Sequence, residues 1–184
     1  MSDQISSYPS ITLTTEQDIP YLNQLVNSAY RGESSKKGWT TEANLLDGIR
    51  TDPDSLKKLI NEPDSVVLKY TGDTGILQGC VYLKQKSNQL YLGMLTVSPD
   101  LQGKGIGKKL LEAAELHASN IGCHSIIMTV ISVRKELIAW YIRHGYQLTG
   151  ATEPFPSDPK FGLPKHPLVF LLLEKSIRFV DKYP

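Results

Sequence analysis

Two short stretches of this chain hold residues whose types and spacing could do chemistry, positions 95–107 and 139–146. The first reads Leu95-Thr96-Val97-Ser98-Pro99-Asp100-Leu101-Gln102-Gly103-Lys104-Gly105-Ile106-Gly107, a strand that enters a loop with three alternate glycines and leaves it as a long helix. Glycine lets a backbone turn tightly and approach a ligand with no Cβ in the way. The unpaired N–H groups of the helix's first turn, at the positive end of its dipole, suit phosphate oxygens. Lys104, Lys108 and Lys109 add positive charge beside them. Spacing alone is also compatible with a tight turn whose glycines only permit close packing. Two other phosphate loops are excluded. A Walker loop needs Gly-Lys-Ser/Thr at its end, whereas Gly107 is followed by Lys108-Lys109. A dinucleotide fingerprint needs Gly-x-Gly-x-x-Gly after a first parallel unit, and here the spacing is Gly-x-Gly-x-Gly after short-linked strands.

The second stretch, Ala139-Trp140-Tyr141-Ile142-Arg143-His144-Gly145-Tyr146, carries one phenol on a helix. By periodicity Tyr141 is equally a core aromatic and a proton donor. His117, His124, His144 and His166 show no metal-ligand spacing, and Cys80 and Cys123 form no CxxC pair. No metal site and no disulfide framework is therefore expected, and reduced thiols point to a cytoplasmic protein. With 20 basic and 19 acidic residues the net charge is +1. That balance gives no electrostatic reason to expect nucleic acid or an anionic membrane as partner. Positions 1–9 are polar, which predicts a flexible start without a secretory signal. No run approaches the roughly 18 apolar residues that span a bilayer.

The elements that must position these stretches follow from hydropathy periods. Ile11-Thr12-Leu13 reads as a strand. A helix capped by Thr14 or Thr15 carries Ile19, Leu22, Leu25, Val26 and Ala29, and residues 31–38 read as a loop. A second helix is expected from Thr40, carrying Ala43, Leu45, Leu46 and Ile49, ended by Asp52-Pro53 and followed by a short helical turn over 55–60. Strands over 65–70, 76–84 and 90–97 have connections too short for a crossover, so they form an antiparallel meander. A helix from Lys104 to Asn120 turns Gly107, Leu110, Leu111, Ala114, Ala118 and Ile121 within an arc of roughly 100°. A strand over 124–131, a helix over 135–144 closed by Gly145, a strand over 146–150, a proline-rich loop over 153–167 and a strand over 168–174 complete a mixed α/β chain. At 184 residues it is long enough for one hydrophobic core and too short for two ordinary domains.

Gln102-Gly103-Lys104-Gly105-Ile106-Gly107 resembles the Gln/Arg-x-x-Gly-x-Gly/Ala pyrophosphate motif of the GNAT acetyltransferase superfamily, and Val97-x-Pro99 resembles the strand end before it. Residues 139–146 resemble that family's second signature, and the element order is similar too. The resemblance implies a single N-acetyltransferase domain over residues 1–184. Its fold would be a central, mostly antiparallel seven-stranded sheet flanked by helices and splayed at an acetyl-CoA site. It implies an enzyme that transfers acetyl from acetyl-CoA, with no metal, to the amine of a small or amino-acid-like acceptor by direct attack. A peptide or protein acceptor, a non-catalytic acyl-CoA sensor and a homodimer stay open.

By the same resemblance, the backbone of Leu95, Thr96 and Val97 would pair with the pantetheine arm, residues Gln102 to Gly107 and Lys108 would hold the pyrophosphate, and Tyr141 would protonate the departing thiolate. Two departures stand out. Arg134 occupies a position where the family often has asparagine, and it is expected either to bind the cofactor or to order the helix start. The strand over 90–97 offers no carboxylate as base, which leaves water, Glu153, Asp158 or His166. Trp39 and Arg50 fall in the segment that walls the acceptor pocket of similar proteins, where an arginine could read a carboxylate. Phe155 and Phe161 would form the opposite rim.

Overall fold

Strands form where apolar residues alternate, and helices where they recur every third or fourth position. In the computed structural model, which describes residues 8–177, β1 (Ile11–Leu13) leads through a 3-10 turn to α1 (Ile19–Tyr30) and the single turn α2 (Gly32–Ser35). β2 (Leu46–Asp47) and α3 (Pro53–Asn61) follow, then β3 (Ser65–Thr71), β4 (Leu77–Lys86) and β5 (Gln89–Val97). α4 (Ile106–Asn120), β6 (Ser125–Ile131), α5 (Lys135–Arg143), β7 (Gln147–Pro154), β8 (Leu163–Pro164) and β9 (Val169–Ser176) complete the order. Seven strands make one sheet in the order β1-β3-β4-β5-β6-β9-β7, and β2 and β8 pair separately. Every neighbour in the large sheet is antiparallel except β5 and β6. Positions 1–7 of the expected flexible start lie outside the described residues.

Alternation along the strands feeds two cores. Val81 and Leu83 of β4, with Leu90 and Leu92 of β5, pack against Leu110, Leu111 and Ala114 of α4. Cys80, Tyr82 and Met94 point the other way, to Leu22, Leu25 and Val26 of α1 and Leu56 of α3. Each fully buried leucine contributes about 1.5–3 kcal/mol relative to an exposed one. Burial also pushes the Cys80 thiol up to about 12, so it stays a protonated, inert hydrophobe.

Two irregularities of β5 shape the site. The register with β4 shifts between Cys80 and Tyr82, where Met94 sits at φ 51, a left-handed bulge in a non-glycine residue. The extra residue flips the parity of the strand. Leu92 faces α4 before the bulge, Met94 faces α1, and Leu95 and Val97 face α4 after it. The second irregularity is the pairing with β6, which holds at Gln89–Ser125, Leu90–Ile126 and Tyr91–Ile127 and then stops. β5 runs on to Val97 and β6 to Ile131, so the sheet is splayed between them.

The expected second helix is absent. Residues 40–49 form turns and the short β2, because their polar groups are drawn into the interior. Arg134 donates to Thr40 Oγ1 at 2.6 Å, and Glu42 lies between two arginines. Ile49, expected on an apolar face, is exposed. Asp52-Pro53 opens a helix instead of ending one. The Asp52 carboxylate accepts the Ser55 amide at 2.7 Å, and Pro53 takes the first helical position, where no N–H is needed. Downstream, β7 extends through Glu153 and Pro154, positions expected in the loop.

Candidate active site

Gly103 and Gly105 adopt φ 79 and φ 83, left-handed values that favour glycine, and an added Cβ at either would meet nothing within 4 Å. Backbone conformation, not packing, therefore requires them, and the space before the loop is open. Gly107 differs, since a Cβ there would touch the Trp140 ring at 3.4 Å. The first helical bond of α4 runs from the Lys109 amide to the Gly105 carbonyl at 3.1 Å, so the amides of Ile106, Gly107 and Lys108 have no acceptor within the helix. The Gln102 side chain is engaged elsewhere. Its Oε1 accepts the Trp39 amide at 3.0 Å and its Nε2 reaches the Val97 carbonyl at 3.4 Å, which staples the 38–39 segment to the end of β5.

A cleft of ≈ 400 Å³ runs from this loop to Tyr141. It is lined by Leu95, Thr96 and Val97 on β5, by Gln102, Gly103, Gly105, Ile106, Gly107 and Lys108, and by Trp140 and Tyr141 on α5. A loop of free amides and open space at one end, with a splayed strand edge beside it, fits a phosphate-bearing ligand with an extended amide arm. Acetyl-CoA has that form. The Leu95 carbonyl on this edge already accepts the Tyr30 hydroxyl at 2.9 Å, and a carbonyl's second lone pair remains for a ligand.

Tyr141 is fixed by the end of its helix. The Tyr146 amide bonds the Tyr141 carbonyl at 3.2 Å, the Gly145 amide bonds the Ile142 carbonyl at 3.0 Å, and Gly145 sits at φ 90. This is a Schellman cap, and the Tyr141 and Tyr146 rings, with centroids 5.7 Å apart, supply its hydrophobic contact. The second sequence signature is thus the capping chemistry that holds the phenol in place. Burial raises the Tyr141 hydroxyl pKa above its ordinary value, with Tyr30 adding to the shift and Arg134 opposing it. The group stays protonated at neutral pH. It can give a proton and is a poor base.

Across the splay lies a second cavity of ≈ 280 Å³. Tyr30, Leu95, Arg134, Leu137 and Tyr141 line both spaces, so the two meet at the phenol. In the smaller one Glu42 receives Arg31 Nη2 at 3.1 Å and Arg134 Nη1 at 3.0 Å, all three side chains being buried. Breaking a buried ionic cluster leaves charge uncompensated. Glu42→Gln is expected to cost about 2–3 kcal/mol in a urea titration, since the amide oxygen still accepts one arginine.

The expected site residues divide between these spaces. Lys104 is exposed on the loop, and Lys108 pairs at 3.7 Å with Glu112 across one helical turn. Arg134 orders residues 40–42, which leaves its Nε to offer a ligand. Arg50 lines the smaller cavity, its guanidinium 5.2 Å from the Tyr30 ring centroid. Trp39 does not share that cavity. It stands in the larger cleft, 6.3 Å from the Trp140 ring. The Gln102 staple is the reason.

Of the three carboxylate and imidazole candidates for the base, Glu153 lines the smaller cavity, while Asp158 is exposed and paired with Lys160. Phe155 forms a wall with Phe170, ring centroids 5.2 Å apart, and the Phe161 side chain lies outside the described residues. Sequence reading missed Tyr30 and Glu42 and gave Trp140 no role of its own. Tyr30 follows Val26 by one helical turn, a signal that was available, whereas nothing local marks Glu42. Among the described residues no group of three His, Cys, Asp or Glu side chains could hold a metal ion, and no helix is long and apolar enough to cross a membrane.

Residues 37–155 match the family model described as an acetyltransferase (GNAT) domain, a span that contains both the glycine loop and Tyr141. The chain belongs to the GNAT acetyltransferase family. It is similar to the mycothiol acetyltransferase of Propionibacterium freudenreichii subsp. shermanii, 34% identical over 67 residues, which is 36% of this chain and 22% of that enzyme. The match therefore spans about a fifth of that relative's length.

The fold is shared with the ribosomal-protein-S18-alanine N-acetyltransferase of Escherichia coli, at a TM-score of 0.69 and 14% identity over 95% of this chain and 97% of that one. It is shared also with the PaiA N-acetyltransferase of Thermoplasma acidophilum, solved with coenzyme A, at a TM-score of 0.67 and 21% identity over 90% and 97% of the two chains.

Proposed function

We propose that this protein is an acetyl-CoA-dependent N-acetyltransferase that acts on a small or amino-acid-like amine by direct transfer. The observation that carries the reading is the meeting of two cavities at one buried phenol, with a phosphate-suited loop at the far end of the larger. Acetyl-CoA supplies an acetyl group activated as a thioester; the new N–C bond forms as the C–S bond breaks, and CoA leaves as the thiol. The amides of Ile106, Gly107 and Lys108 hold the pyrophosphate, and the β5 edge at Leu95 and Val97 aligns the arm. Tyr141 delivers its proton to the departing sulfur, which its raised pKa suits. The amine enters from the smaller cavity and loses its proton through water, with Glu153 as the lining carboxylate that, unlike Glu42, is not ion-paired to Arg31 or Arg134.

The direct test is thiol release from acetyl-CoA in the presence of a pool of free amines, amino acids and short peptides. Turnover with free amines is expected. Stable binding of acetyl-CoA with no thiol release from any amine would favour a sensor.

A further inference from the structure

We propose, building on the transferase reading, that the acceptor is an amine carrying a carboxylate a few bonds from its nitrogen, and that Arg50 holds that carboxylate. The smaller cavity is lined by Arg31, Arg50 and Arg134 but by Glu42 and Glu153 as its acids, one more positive than negative. Glu42 serves Arg31 and Arg134 at once. Arg50 has no ion-pair partner among the described residues, yet it is held in place. Its amide donates to Asn27 Oδ1 at 2.7 Å, and its guanidinium lies over the Tyr30 ring. A planar, pre-positioned fork with unspent donors matches a carboxylate.

A second observation points the same way. The Nε of Arg134 is buried with no hydrogen-bond partner, on a side chain that is 7% exposed and lines the same cavity. A buried donor left unpaired is costly unless a ligand completes it. Glu153 lies on the outermost strand and is exposed, so it does not neutralise the interior.

Size and polarity define the rest of the acceptor. A cavity of ≈ 280 Å³ suits one amino acid better than a chain segment. Phe155, Phe170, Leu46 and Met128 offer an apolar wall for its side chain. With the carboxylate on Arg50, the neighbouring amine is free to face the splay, where Tyr141 lines both cavities. A diamine would instead place a second ammonium among guanidiniums.

The test uses matched sets at saturating acetyl-CoA: leucine, methionine and phenylalanine, each beside its amide and its decarboxylated amine, with thiol release as the readout. The free amino acid is expected to exceed both counterparts in kcat/KM by at least about 10-fold. Arg50→Ala should erase that preference by raising KM for the amino acid roughly 10- to 100-fold, with the acetyl-CoA thermal shift retained, and Arg50→Lys should restore part of it. Equal or better turnover of the amides or decarboxylated amines, better turnover of a peptide than of its free N-terminal amino acid, or a preference untouched in Arg50→Ala would each overturn the inference while transferase activity stands. Absence of turnover with every amine, acetyl-CoA still binding, would overturn the transferase reading and this inference with it.

Discussion

Replacing Gly105 by aspartate is expected to abolish acetyl-CoA binding while the protein still folds. Gly105 stands immediately before α4 at φ 83, with open space where a side chain would begin. An aspartate there costs about 1–2 kcal/mol of backbone strain and meets no steric wall, so the fold should tolerate it. Its carboxylate, however, would occupy the mouth of the free amides at Ile106, Gly107 and Lys108, where it competes with and repels a pyrophosphate. For the wild type, acetyl-CoA at 100 times its Kd should raise Tm by roughly 5–10 °C, from the mass-action gain and the usual scaling for a chain of this size. The Asp variant should show no shift. Gly105→Asn isolates the cause, because it brings the same shape and the same strain without the charge and should retain part of the shift. A full acetyl-CoA shift in Gly105→Asp would remove the loop from the cofactor site.

The contrast between this loop and the rest of the site shows what a sequence can disclose. Gly103 and Gly105 are legible because left-handed backbone conformations leave glycine as a residue-level mark. Tyr141 and Gly145 are legible because a helix cap ties residue types to fixed local spacing. The meander of β3, β4 and β5 follows from alternation and short turns alone.

Long-range geometry leaves no such mark. The bulge at Met94 uses a non-glycine residue at φ 51; Gly93 before it marks an irregular strand, but not that Leu95 and Val97 will face α4. Residues 40–49 carry a helical apolar pattern, but Glu42 is placed by Arg31 and Arg134, the latter 92 positions away, and that tertiary pull overrides propensity. Trp39 was legible as a pocket residue and not as to which pocket, because its position depends on Gln102, 63 positions downstream. Asp52-Pro53 could read either way. Proline after aspartate both interrupts one helix and begins another, and the choice here falls to the Asp52 cap on Ser55.

Tyr141→Phe should lower kcat by a factor on the order of 10² to 10⁴ and leave acetyl-CoA affinity almost unchanged. The ring is held from both sides, by Trp140 at 5.1 Å and Tyr146 at 5.7 Å between centroids, in edge-on contacts that phenylalanine preserves. Only the hydroxyl is lost. A thiol with an ordinary pKa near 8.5 is a tolerable leaving group even unprotonated, which is why the expected loss is partial. The burden should fall on kcat, the mark of an interaction made only in the transition state.

The pH dependence supplies an independent check. Burial raises the Tyr141 pKa above its ordinary value of 10.0, so the protonated, donating form persists through that pH and is lost only above it. The alkaline limb of the wild-type rate should therefore not report Tyr141 below pH 10, and the shape of the profile from pH 7 to 9 should be the same in wild type and Tyr141→Phe, displaced downward. A Phe variant that turns over at the wild-type rate with its true acceptor would reduce Tyr141 to a core aromatic. A wild-type activity that collapses between pH 8 and 9, with the Phe variant flat across the same range, would show Tyr141 itself titrating there and would overturn its raised pKa.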